Sequence, residues 1–222
     1  MRTEGPGNTM ALSNVGARQA AVSTMKQSLI LDAARDIFEA DGIEGASIRA
    51  IAKRAGYTPG AIYFHFASKE DIYAALLERS LDALIATVHQ DAQDARSPAQ
   101  GMHDAGQRFF DFYADNPRDL DLGFYLFRGG MQPHSLGREK DQILNTKLLS
   151  ALAPFKSALI EMGCDEILAD IETAAYFAHA SGLLLLQHTG RMTLFETNAR
   201  QRMTAYLDSL EQRIHHVLAV SA

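Results

Sequence analysis

The chain has no tryptophan and a single cysteine, Cys164. One thiol cannot close an internal disulfide, so a stapled secreted scaffold is excluded and a reducing compartment is expected. Long apolar runs are missing too. The most apolar stretch, 174–186, falls short of the roughly 20 residues that a bilayer demands. It is also interrupted by His179, Ser181 and Gly182. The beginning of the chain shows no basic segment leading into an apolar core, so no signal peptide is expected and the location read from the sequence is cytoplasmic. Positive charge is not in excess either: 21 Lys and Arg stand against 27 Asp and Glu, a net charge of −6. A polybasic coat for nucleic acid of any sequence is thereby excluded, but not a protein whose cations gather on one face.

Strand signatures are scarce, whereas apolar residues recur at helical spacing in segment after segment. At 222 residues the chain can bury a substantial core. An all-α fold is expected. Catalytic patterns are also missing: no HExxH, no phosphate-binding Walker loop, no nucleophile elbow. His215 and His216 are adjacent and point to different helix faces, and the spacing of His179 and His188 suits one metal poorly. No catalytic residue, metal or cofactor is assigned, and the chain is not expected to be an enzyme.

The informative stretch is 47–69, SIRAIAKRAGYTPGAIYFHFASK. Ile48, Ile51, Ala52 and Ala55 make one helical face, Ser47 suits its N-cap and Gly56 its left-handed end. Thr58 and Pro59 then suit the N-cap and N1 of a second helix, with Ile62 and Phe66 turned inward. Helix, glycine-bearing turn and helix is the helix-turn-helix pattern, whose second helix enters a major groove. From 45 to 69 there are four basic residues, Arg49, Lys53, Arg54 and Lys69, and no acidic one. Arg49 in the first turn of the first helix and Lys69 after the N-cap Ser68 of the helix behind the motif oppose the helix dipole. A docked phosphate reverses the sign of that effect.

With Gly42-Ile43-Glu44-Gly45 in front, and Gly60-x-Ile62-Tyr63-x-His65-Phe66-x-Ser68-Lys69-Glu70 behind, this stretch resembles the DNA-binding domain of the TetR family of bacterial one-component repressors. The likeness runs without a gap over about 25–76; beyond it the chain is similar only in being helical and of suitable length. The resemblance implies a dimer reading a palindromic operator. It implies phosphate contacts from Ser47, Arg49, Thr58, Tyr63, His65 and Lys69, and an approach to base edges by Arg49, Pro59, Gly60 and Ala61. It also implies a C-terminal ligand-binding and dimerisation domain whose last two helices form the dimer interface.

Three regions are expected: a flexible N-terminal arm over 1–24, a helix-turn-helix domain over 25–70, and a ligand-binding and dimerisation domain over 71–222. The arm reads first as a solvated tail or an extended start site; the alternative is that Arg2 and Arg18 reach a minor groove. A first helix spans about 24–40 and is stopped by Asp41-Gly42; a helix from Ser68 to about 92 connects onward; Gln90–Ser97 reads as a connection. Ser97-Pro98 restarts a helix that Asn116-Pro117 stops, a short helix covers about 120–128, and 129–140 is loop-like. Pro154 predicts a kink or break in the helix over 141–162, and Thr193 with Glu196 predicts a capping box for the last helix. The aromatic residues crowded between 109 and 127 suit ordinary core packing or a pocket for a small apolar or aromatic effector. Its candidate lining is Phe109, Phe112, Tyr113, Phe124, Phe127, Arg128, His134, Phe155, Tyr176 and His179, with Gln132 as a further polar contact. The expected function is a ligand-responsive DNA-binding transcriptional regulator, most simply a repressor. The alternatives are a redox-responsive regulator switched through Cys164 and, more distantly, an enzyme with a site in the aromatic region.

Overall fold

A computed structural model of the chain describes residues 7–90, 97–124 and 136–221. Among these residues every regular element is helical. In order they are α1 (Gly7–Gly45), α2 (Ile48–Ala55), α3 (Pro59–Tyr63), α4 (Lys69–His89), α5 (Pro98–Asp115), α6 (Pro117–Phe124), α7 (Arg138–Glu161) and α8 (Glu166–His188). A 3-10 turn (Arg191–Phe195) and α9 (Ala199–Ser221) follow. The helices form two compact units, Met1–Leu76 and Leu77–Ala222, so the division falls inside α4 rather than at 70/71.

In the first unit, Ile30, Ala34 and Phe38 of α1, Ile51 and Ala52 of α2, Ile62 of α3, and Ile72, Tyr73 and Leu76 of α4 are all buried. Phe38 and Tyr73 pack edge to face with ring centres 5.5 Å apart, a preferred aromatic geometry. The stretch expected to be a flexible arm is different: from Gly7 onward it is helical and continuous with α1. Among the described side chains of α1, the first that is buried is Ile30. Over 18–29, where no side chain is buried, there is no buried stripe to leave an apolar period. At its other end α1 departs from helical geometry at Gly42 (φ 68°, ψ 175°), where Asp41-Gly42 was expected to stop it.

In the second unit α5 is the central helix, packed on α7, α8 and α9. Met102, Phe109 and Phe110 of α5 are buried with Leu152, Phe155 and Leu159 of α7, Tyr176 and Ala180 of α8, and Met203, Leu207 and Leu210 of α9. Polar clamps fix the register. Arg200 of α9 binds Asp111 (2.7 Å) and Asp115 (2.6 Å) of α5, Arg213 binds Glu172 of α8 (2.7 Å), and Lys156 of α7 binds Asp170 of α8 (2.6 Å).

One expectation is corrected here in part and another in full. Of the kink or break expected at Pro154, the break does not occur: α7 runs through the proline. Ala151, Leu152, Phe155, Ala158 and Leu159 are buried on both sides of the proline and hold the helix in place. The carbonyl of Ser150, four residues back, has lost its usual donor, and His89 Nε2 of α4 donates to it at 3.0 Å. The capping box at Thr193 and Glu196 does not form either. Thr193 Oγ1 donates to the Gly190 carbonyl, Glu196 adopts a left-handed conformation (φ 49°), and Asn198 Oδ1 accepts from Gln201 N to cap α9. The connection over 91–96 and the loop residues 129–135 lie outside the described residues.

Gly106 marks the tightest helix crossing among the described glycines. A Cβ there would meet Leu207 Cδ2 at 2.9 Å and the Phe155 ring at 3.2 Å. Overpacking of this kind costs about 1–3 kcal/mol, against a helix-propensity gain of roughly 1 kcal/mol for alanine over glycine. Gly106→Ala is therefore expected to lower the urea midpoint of unfolding.

Candidate nucleic-acid interface

The interface is built from α2, α3 and the turn between them. Ser47 is extended (φ −133°, ψ 149°) and its Oγ accepts from Ala50 N at 3.2 Å, closing the start of α2. Gly56 ends α2 in the left-handed region (φ 74°, ψ 26°), a conformation that costs glycine little. Two residues later Thr58 Oγ1 accepts from Ala61 N at 3.3 Å, with Pro59 at the first helical position of α3. Ile62 and Phe66 are buried behind α3. Their burial turns Thr58, Pro59, Gly60 and Tyr63 to solvent, with Ala61 and His65 half-buried. A Cβ added at Gly60 would meet only Thr58 Oγ1, at 4.0 Å, so the surface there is open.

The charges divide. Arg49 and Lys53 are exposed on α2, and Lys69 is half-buried at the start of α4, where Ser68 Oγ accepts from Asp71 N at 3.1 Å. Arg54 is engaged within the unit: its Nε and Nη2 bind Asp36 Oδ2 of α1 at 3.0 and 2.6 Å. It ties α2 to α1 instead of facing outward as a free cation. Sequence reading missed Phe64. This side chain is 84% exposed, the most exposed of the large apolar residues described, with Tyr63 beside it at 58%. Phe64 packs edge to face on His65, ring centres 5.1 Å apart. Its phase between the inward Ile62 and Phe66 was the available signal, because a residue two positions from each lies on the opposite side of the helix.

The candidate effector residues present a different picture. Phe155 and Tyr176 stack with ring centres 4.2 Å apart, and Phe109 packs edge to face on both Tyr113 (5.4 Å) and Tyr176 (5.9 Å). Tyr176 Oη donates to the Gly106 carbonyl at 2.6 Å. Burial raises the pKa of both Tyr113 and Tyr176 above the ordinary phenol value. Phe112 is half-buried at the edge of this cluster, against Tyr113. These residues thus form a close-packed aromatic core. Phe127, Arg128, His134 and Gln132, and the side chain of Phe124, lie outside the described residues. His179 stands apart, stacked on Tyr206 of α9 at 4.2 Å with its Nε2 buried and without a hydrogen bond. Cys164 is buried where α7 meets α8, and burial raises its thiol pKa, so it has little thiolate to react. Among the described residues no group of three His, Cys, Asp or Glu side chains is arranged to hold a metal, and no helix is long and apolar enough to cross a membrane.

Two measurements check this geometry. Ile62→Ala empties the buried back of α3 and should cost about 2–5 kcal/mol of unfolding free energy. Phe64→Ala removes only exposed surface and should stay within about 0.5 kcal/mol of the parent in the same urea titration. His179 supplies a pH test. Burial lowers its pKa below the ordinary 6.5, so below that pH the unfolded state takes up a proton that the folded state resists. Stability should fall as pH drops from about 6.5 toward the depressed folded value, and His179→Leu should flatten that part of the profile.

Residues 30–76 match the model of a family described as bacterial regulatory proteins, tetR family. The A-factor receptor protein of Streptomyces griseus is 40% identical over 94 residues, covering 42% of this chain and 31% of that one. The HTH-type transcriptional activator FasR of Mycolicibacterium smegmatis is 34% identical over 99 residues, covering 45% of each. The chain thus spans less than half the length of these curated relatives. In structure, the transcriptional regulator FadR from Bacillus subtilis in complex with stearoyl-CoA aligns with a TM-score of 0.64 at 19% identity, over 82% of this chain and 95% of that one. A transcriptional regulator from Rhodococcus sp. Rha1 aligns with a TM-score of 0.67 at 22% identity, over 84% and 96%. These two likenesses concern the fold.

Proposed function

Because the chain belongs to the tetR family of bacterial regulatory proteins through its N-terminal domain, we propose that it is a cytoplasmic, ligand-responsive transcriptional regulator that binds a palindromic operator as a homodimer and represses until an effector releases it. The observation that carries this reading is a five-residue helix, α3, held from behind by Ile62 and Phe66 and presenting its other side to solvent within a stretch free of carboxylates. Ser47, Arg49, Thr58, Tyr63, His65 and Lys69 contact phosphates, and Arg49, Pro59, Gly60 and Ala61 approach base edges. The outward face of α3 has no guanidinium or side-chain amide. Its direct readout is therefore apolar contact of Pro59 and Ala61 with thymine methyl groups.

The second copy docks on α8 and α9. Ile167, Ile171 and Leu185 of α8 are exposed at helical spacing, with Ala174, Ala178 and Gly182 between them on the same face. Val217 and Val220 of α9 are exposed as well. A stripe of this kind is apolar surface that a symmetric partner removes from water. The effector is a small molecule with an apolar or aromatic body, for which the stearoyl-CoA bound by the Bacillus subtilis neighbour is one probe among several. By linkage, an effector that weakens operator binding must itself bind more weakly, by the same factor, to the DNA complex.

Selection from random duplexes tests the whole reading. The expected product is a palindrome whose half-sites are about 34–36 Å apart, one helical turn or a multiple. Replacing thymine by uracil within the half-sites should weaken binding, and Ile171→Glu should yield a monomer that no longer binds the two half-sites together. Enrichment of no duplex at all would remove the regulator assignment. A stable dimer of Ile171→Glu would remove the α8 interface but not DNA binding.

A further inference from the structure

The first unit carries an open groove of about 360 Å³ between α1 and α3. Lys26 and Ile30 of α1 form one wall, Gly60, Ala61, Phe64 and His65 the other, and Tyr57 closes the end. Lys26 is exposed, and it lies outside the 45–69 stretch in which the basic residues were found. The lining contains a lysine, a histidine and a phenol, and no carboxylate. Its volume falls at the low end of the roughly 300–1,000 Å³ of small-molecule pockets, but it is not enclosed, and the one formally charged side chain in its lining is the Lys26 ammonium. It is also continuous with the outward face of α3, since Gly60 belongs to both and the half-buried Ala61 lies beside it.

We propose that this groove seats the sugar–phosphate backbone of the duplex that α3 enters, with Lys26 as the counter-charge of one phosphate and Phe64 packed against the adjoining deoxyribose. The inference rests on the DNA-binding reading above and adds to it a phosphate contact from α1. The occupant is chosen by charge and by shape. An anionic polymer that follows an open channel can reach Lys26 and His65 at once, and the apolar Phe64 face then covers a sugar, the apolar part of the backbone repeat. Phosphate contacts set register and orientation and carry no base information, so the groove adds affinity without adding sequence preference.

The test uses the full chain and two duplexes, one carrying the palindrome enriched by selection and one of random sequence, with affinity measured across a range of salt. Each phosphate neutralised contributes about 0.9 to the slope of log affinity against log salt. Two symmetric copies of Lys26 make two contacts, so Lys26→Gln should flatten the slope by about 1.8. It should weaken binding to both duplexes by the same factor, leaving the ratio between them unchanged, and Lys26→Arg should restore the slope. Arg202→Gln, at an exposed position on α9, is the charge control and should leave the slope as it was. If the parent protein binds DNA and Lys26→Gln keeps the parent's slope, the groove holds no phosphate and only this inference falls. If Lys26→Gln changes the ratio between the two duplexes, Lys26 reads bases and the assignment to the backbone is overturned. If the parent binds neither duplex, the DNA-binding reading falls and the groove assignment goes with it.

Discussion

The constraint on which the interface depends is the phase of α3. A helix of five residues cannot stabilise itself, because the cost of fixing its first turn is not recovered by so few hydrogen bonds. Its geometry comes from what grips it: the Thr58 cap and Pro59 at one end, and Ile62 with Phe66 in the core of the first unit. With 62 and 66 inward, Pro59, Gly60, Tyr63 and Phe64 have no other direction than outward. Rotation by one residue would bury the Tyr63 phenol and expose Ile62, exchanging apolar burial for an unsatisfied hydroxyl. The surface that faces a ligand is in this sense a consequence of core packing in the same unit.

Electrostatics refine that surface. Counting charges over 45–69 gives four cations, yet Arg54 is held by Asp36 through two hydrogen bonds. Both partners are well exposed, so the pair contributes about 0–1 kcal/mol to stability. Its larger consequence is spatial: one cation is withdrawn from the outward set, while Lys26 of α1 extends that set on the other side of α3. The rest of the chain is acidic, and at physiological salt charges separated by more than about 8 Å are largely screened. Contact with an anion is therefore decided by the few cations close to it and not by the net charge of −6.

What the sequence revealed followed from local chemistry. The caps at Ser47, Thr58 and Ser97, the left-handed Gly56 and the inward pair Ile62 and Phe66 each depend on neighbours within four residues, so they were readable one by one. Where neighbours come from another helix, reading stopped. The helical character of the segment before Met25 was hidden because its described side chains, from Arg18 on, are not buried and so create no period. Thr193 and Glu196 had the spacing of a capping box, but Asn198 offered a cap closer to the apolar stripe of α9 and took that role. The engagement of Arg54 by Asp36 and the groove at Lys26 both join α1 to residues far along the chain. Phe64 alone was accessible to sequence and overlooked, since its phase opposite Ile62 and Phe66 needed no tertiary information.

The aromatic crowd between 109 and 127 suggested a pocket because composition cannot distinguish a lined cavity from a filled one. In the structure Phe109, Phe155 and Tyr176 fill it with one another, and directional bonds add to the closure. Pro117 and Pro154 each remove the donor from a carbonyl four residues back, at Tyr113 and Ser150. His188 Nε2 donates to the first and His89 Nε2 to the second, both at 3.0 Å, and Tyr176 Oη donates to Gly106 O. A buried carbonyl left without a donor costs about 1–3 kcal/mol. A molecule that parted α5 from α8 would uncover the Gly106 and Tyr113 carbonyls together, so an apolar body alone is a poor match for that seam. The ligand that opens it at least cost carries hydrogen-bond donors placed to replace the Tyr176 hydroxyl and the His188 imidazole.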